Sequence, residues 1–238
     1  MSVRNICFPL YLLLCLSRVL SLIEYIFQEG RFESFKKDVL KGDQASDRYE
    51  GEIMTATFKE LTEFFRTIGA DEVSHSDKSF LAHAIGVYND LKEWGCDEDL
   101  ARVGIFHSIY GTELFQGFTL PLDRRDDVRL LTGERTEALS YLNCAMDRTH
   151  FDAQVKAGGK GPYTILDRFD GTEIEVSDQD FEDLCTVHIC DWLEQVERSG
   201  NWSYRRDGYR SLAERLGGIA LASYDRVFAN ESRQSNVV

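Results

Sequence analysis

Only three prolines, Pro9, Pro121 and Pro162, interrupt the 238 residues of this chain. Proline breaks helices and is kept out of central strands. With so few breakers, long helices are favoured over a many-stranded β fold. The length is that of one ordinary domain with extensions, enough to bury a sizeable core. Hydrophobic residues at 43% and charged residues at 29% give a globular profile rather than a disordered one.

The apolar spacing agrees. Phe58, Leu61, Phe64, Phe65 and Ile68 make one helical face, closed by Gly69. "SHSDKS" is a polar turn that caps the next helix, residues 79–94, striped with Phe80, Ala84, Val87, Tyr88 and Leu91. Gly95 stops it, and Asp97 or Asp99 starts a helix carrying Leu100, Val103, His107 and Tyr110. Further helices are predicted over 123–131 and 134–147. Residues 163–176, "YTILDRFDGTEIEV", differ: two β-prone runs flank Asp170-Gly171, a hairpin signal. A long helix over 177–198 then carries Phe181, Leu184, Cys185, His188, Trp192 and Gln195 on one stripe, and one more helix spans about 204–221. The predicted fold is an all-α helical bundle with a small β-hairpin insert. It occupies residues 54–225, with a flexible tail over 226–238.

The N-terminus has its own pattern. Arg4 precedes the run "ICFPLYLLLCLSRVLSLIEYIF", and Val19 and Ser21 sit at the small-residue spacing of a cleavage site. Residues 1–27 therefore read as a signal peptide or signal anchor, followed by a polar linker over 28–53. Arg18 and Glu24 interrupt the run, which disfavours a full membrane span. The expected location is the secretory pathway or an organelle, with membrane contact only through an uncleaved N-terminal segment. The alternative is a cytoplasmic protein translated from Met54. Asn201 and Asn230 head glycosylation sequons that matter only on the secretory route. Cys96, Cys144, Cys185 and Cys190 form neither a CxxC pair nor a dense disulfide framework. The net charge of −14 repels phosphate backbones, so nucleic acid is set aside as a partner and a small-molecule substrate preferred.

Five histidines exist, and His83, His107 and His188 fall on the inward stripes of three different helices. Burying an ionisable group is costly unless it is paired or ligated, so three on inward faces point to a shared site. Asp191 follows His188 by three residues, on the same helix face. His75, eight residues before His83, is close enough to reach the same cavity, while His150 in "DRTHFD" reads as a solvated loop residue. Two imidazoles and a carboxylate make a divalent-metal set suited to manganese, iron or zinc. Without metal, the same groups suit an anionic ligand. There is no Gly-rich phosphate loop, HExxH or nucleophile elbow.

The order of these motifs resembles the HD-domain superfamily of helical metal-dependent phosphohydrolases, whose pattern is H…HD…D. His83 is followed 24 residues later by His107 in "FHS", and later by "HICDWLEQ". "LAHAIGVYNDLKEWGCDEDLARVGIFHSIYGTE" is similar in layout to the hydrolase domain of guanosine tetraphosphate metabolism. "SHS", "FHSIYGT" and "YLNCAMDR" are similar to a little-characterised HD-like family of unknown function. The resemblance covers about residues 57–200. It implies that His83, His107 and Asp191 hold a divalent metal, with His188 a further candidate ligand. Ser108 departs from the pattern, which places a hard aspartate ligand there.

The function this implies is metal-assisted hydrolysis of a small phosphorylated or nucleotide-like substrate. In that scheme Glu113 or His75 positions or deprotonates water, and Arg148 or Arg124 meets substrate phosphate. Two alternatives stand beside it: a non-catalytic HD-like domain that binds a ligand or partner, favoured by Ser108, and an iron-dependent oxygenase.

Overall fold

The computed structural model describes residues 56–71, 73–75 and 78–231, and of His75 only the backbone. The expected signal segment, the whole of the expected linker and residues 232–238 lie outside the described residues. The protein is mostly helical with a small antiparallel hairpin, as its sequence predicts.

The chain divides into two compact units, and Phe58–Gly69 belongs to one of them. Helix α1 (Phe58–Thr67) has Leu61, Phe64 and Phe65 buried on one face, the spacing read from sequence.

The second unit takes in Thr55–Thr57 and Ala70–Val238. It opens on a short antiparallel ladder, β1 (Ser74–His75) with β2 (Lys78–Ser79), pairing Ser74 with Ser79. Ser79 then caps α2 (Phe80–Glu93), its hydroxyl accepting from the Ala82 amide. Asp97 caps α3 (Glu98–Phe106) through the Leu100 amide at 2.8 Å. A 3₁₀ turn over Leu122–Arg124 leads into α4 (Arg125–Thr132), α5 (Glu134–Ala145) and α6 (Arg148–Ala157). The hairpin of β3 (Tyr163–Leu166) and β4 (Glu173–Val176) follows, with Ile165 opposite Ile174. Then come α7 (Asp178–Ser199), α8 (Arg206–Leu216) and α9 (Gly218–Phe228).

Helix α7 is the 22-residue axis of this unit, packed against α2, α3, α5, α8 and α9. Its inward residues Phe181, Leu184, Val187, Trp192 and Val196 share one core with Val87, Leu91, Val103 and Phe151. Burial of these side chains, each worth about 1.5–3 kcal/mol, holds the helices that carry the site.

Three expectations are corrected. His150 lies in α6 rather than a solvated loop: Asp147 caps that helix, Phe151 and Val155 anchor it in the core, and His150 Nε2 is 3.0 Å from Thr164 Oγ1. The helix expected over 204–221 is two, because Gly217 and Gly218 take φ of 62° and 46° and break it. The last helix runs on to Phe228, past the residue 225 boundary of the expected tail.

Candidate metal centre and its adjoining cavity

His83 and His107 meet because α2 and α3 approach closely. Gly104 makes the approach: a Cβ there would lie 2.9 Å from Leu91 Cδ1 and 3.0 Å from the Tyr88 amide nitrogen. His107 ends α3, and its backbone is fixed from α5. Its carbonyl accepts from Asn143 Nδ2 at 2.6 Å and from the Cys144 thiol at 3.2 Å.

Both imidazoles are oriented through their far nitrogens. His107 Nδ1 donates to the Gly104 carbonyl at 2.7 Å, and His83 Nδ1 donates to Glu194 Oε2 at 2.5 Å. A carbonyl and a carboxylate have no proton to give, so each Nδ1 carries the hydrogen and each Nε2 faces inward. The two Nε2 atoms are 3.3 Å apart. Asp191 Oδ1, from α7, stands 3.0 Å from one and 3.3 Å from the other. These three ligand atoms all lie within 4.8 Å of one another. Gln195, one turn on, donates to Asp191 Oδ1 at 2.8 Å.

Glu194 reaches His83 because Gly86 leaves room. A Cβ on Gly86 would sit 2.6 Å from Glu194 Oε1. Lys78 Nζ and Arg198 Nη2 also hold this carboxylate, at 2.8 and 2.7 Å.

The charges are strongly coupled. Burial alone would depress His83, but hydrogen bonds and charges from Asp191 and Glu194 carry it up to about 9. Burial alone would raise Asp191, but His107 and His83 hold it well below the usual carboxylate range. Glu194 likewise overcomes its burial through His83 and Arg198 and falls to about 2.

A second cluster adjoins the first. His107, Ser108 and Asp191 line a cavity of about 210 Å³ together with Arg148, His188 and Arg205. His188 stands apart from the three convergent ligands. Its Nδ1 is 2.9 Å from Arg148 Nη1 and its Nε2 is 2.7 Å from Arg205 Nη1. Burial and the two guanidinium charges push His188 well below its ordinary value, so the ring is neutral. Both its nitrogens are engaged by arginines, which is why a place among the metal ligands does not follow from its helix face.

The remaining expected residues are dispersed. Glu113 is exposed, and its Oε1 accepts from the Arg148 amide at 2.8 Å, capping α6. Arg124 lies in the 3₁₀ turn, with Nε 2.9 Å from Asp127. His75 is in β1, its side chain outside the description. Ser108 is buried with Oγ 3.2 Å from His107 Nε2, so its hydroxyl faces the cluster.

Two residues of the site escaped the sequence reading. Glu194 had a signal, since it follows Asp191 by three residues on the same helix. Arg205 had none: it precedes α8 in a left-handed conformation, φ 41°, outside any helical period.

Residues 64–148 match the model of a domain of unknown function, DUF6817. That stretch includes His83, His107, Ser108 and Arg148, whereas Asp191, Glu194 and Arg205 come from beyond it. No curated protein and no solved structure matches the chain.

Proposed function

We propose that this domain is an HD-like, metal-dependent hydrolase of a small phosphorylated compound, with one divalent ion held by His83, His107 and Asp191. The observation that carries the reading is the pair of inward Nε2 atoms, each fixed by an Nδ1–H bond on its far side, beside a carboxylate oxygen. Ligating histidines are usually oriented in this way, by a carboxylate or carbonyl on the other ring nitrogen. Two nitrogens and one hard oxygen suit manganese, iron or zinc. A divalent ion at such a site supplies Lewis acidity and an acidified water.

The chain's own residues supply the rest. Gln195 holds Asp191 Oδ1 toward the histidines. Arg148 and Arg205, on the wall of the same cavity, attract the negative charge of a substrate. The test is phosphate release from a panel of small phosphomonoesters by the manganese-loaded full chain. Turnover lost in His107→Ala supports the reading, and turnover equal in both proteins refutes it.

Ser108 favours a second reading, a non-catalytic ligand-binding domain. A neutral hydroxyl replaces the charge expected there, which weakens the hold on a second ion. Metal and ligand binding with no turnover across the panel would select it.

A further inference from the structure

The Arg148–His188–Arg205 cluster has more hydrogen-bond donors than acceptors. Arg148 is only 6% exposed, yet among the described residues no carboxylate lies within ion-pair distance of its guanidinium. Among the described residues its guanidinium hydrogen-bonds only to His188. An imidazole is neutral or cationic, never anionic, so it supplies no counter-charge. Nor can it serve both arginines. A neutral ring has one lone pair, and guanidinium groups accept nothing. With Arg148 on Nδ1 and Arg205 on Nε2, one of the two contacts sets donor against donor. Arg205 is offset by Asp152, which accepts its Nε at 2.8 Å, so the guanidinium without an ion-pair partner is that of Arg148, with Asp191 and Glu113 acting on it only from beyond ion-pair distance.

Buried charges are normally paired, because an unpaired one costs several kcal/mol or titrates away, and arginine does not titrate. The backbone adds a second sign. Arg205 is the sole non-glycine residue at positive φ among the described residues, and such conformations gather at functional sites.

The cavity also limits what enters. At about 210 Å³ it falls below the roughly 300–1,000 Å³ of sites that take drug-sized ligands. Trp192, Tyr204 and Tyr209 form its aromatic wall, with Trp192 and Tyr209 stacked at 4.9 Å.

We infer that the substrate is a small organic oxyanion, phosphate monoester or carboxylate, whose head is held by Arg148 and Arg205 and whose body lies on the aromatic wall, with no room for a nucleotide. This deepens the hydrolase reading by naming the substrate's head group and size, and rests on that reading only for the reaction. The head provides the acceptor that His188 cannot, and relieves the donor clash on either side of the ring.

The test uses the full chain after chelation, so that it is independent of the metal. Inorganic phosphate, benzoate and adenosine monophosphate are titrated by calorimetry. Saturable binding of phosphate or benzoate is expected, weakened at least tenfold in Arg148→Gln and in Arg205→Gln; the tighter of the two probes identifies the head. A thermal scan without ligand adds a control against a merely structural role. If Arg148 is a buried cation without an ion-pair partner, Arg148→Gln melts higher than the native chain, and a lower midpoint overturns the inference. Absence of binding by both small anions, binding unchanged in both variants, or tighter binding of the nucleotide than of phosphate also overturns it. Metal binding without anion binding would sink this inference alone, and anion binding without metal binding would sink the hydrolase reading alone.

Discussion

His83 Nε2 lies 3.3 Å from His107 Nε2, and Asp191 Oδ1 is within 3.3 Å of both. In the metal-free protein His83, raised to about 9, carries a proton on that nitrogen at neutral pH. A metal must displace it, because ligating imidazole is neutral. Apparent affinity for manganese should therefore rise about tenfold per pH unit as pH climbs toward 9. Calorimetric titrations at pH 6.5, 7.5 and 8.5 would measure the slope, and a flat profile would count against His83 as a ligand.

The same proton has a signature in stability. His83 moves from 6.5 to about 9 on folding, so the folded chain binds more protons across that window. The contribution is complete below pH 6.5 and disappears as pH rises through 9. Urea unfolding of the chelated protein should show stability falling over this range. His83→Gln should be less stable at pH 6.5 and should lack that slope.

In the proposed site Glu194 acts through His83 rather than on the metal itself. Glu194→Gln removes the charge that orients the ring, and outer partners of this kind are worth about 10- to 100-fold in metal affinity. Gly86→Ala should reproduce much of the loss from the other side, since its Cβ would fall 2.6 Å from Glu194 Oε1. If Gly86→Ala binds manganese as the native chain does, Glu194 has no orienting role.

Ser108 faces His107 Nε2 at 3.2 Å. Ser108→Asp places a third carboxylate charge against Asp191 in a buried site. The metal-free variant should melt lower than the native protein, and manganese should bind it more tightly. A lower melting point with no gain in affinity would mean that the side chain points past the ion.

The helical part of this site was legible because its residues obey a period. His83 and His107 belong to apolar stripes, and Asp191 lies three residues from His188 on α7. The same logic does not place His188 with the three convergent ligand atoms. A stripe says that a side chain faces inward, not which neighbours meet it, and here they are Arg148 and Arg205. Helix α6 was hidden because its apolar anchors are only Phe151 and Val155, set among polar residues. Glu113 looked convergent from its closeness to His107 in sequence, but the turn after Gly111 carries it to the N-terminus of α6. Arg205 depends on a left-handed backbone that no pattern announces.

In the proposed function His83, His107 and Asp191 form one metal site. The direct measurement is calorimetric titration of the chelator-treated full chain with manganese, beside His107→Ala and Asp191→Asn. One ion per chain, lost in both variants while their folded circular dichroism is kept, is the predicted result. No saturable binding in the native chain, or equal binding in the variants, would contradict it and leave the two histidines as core residues.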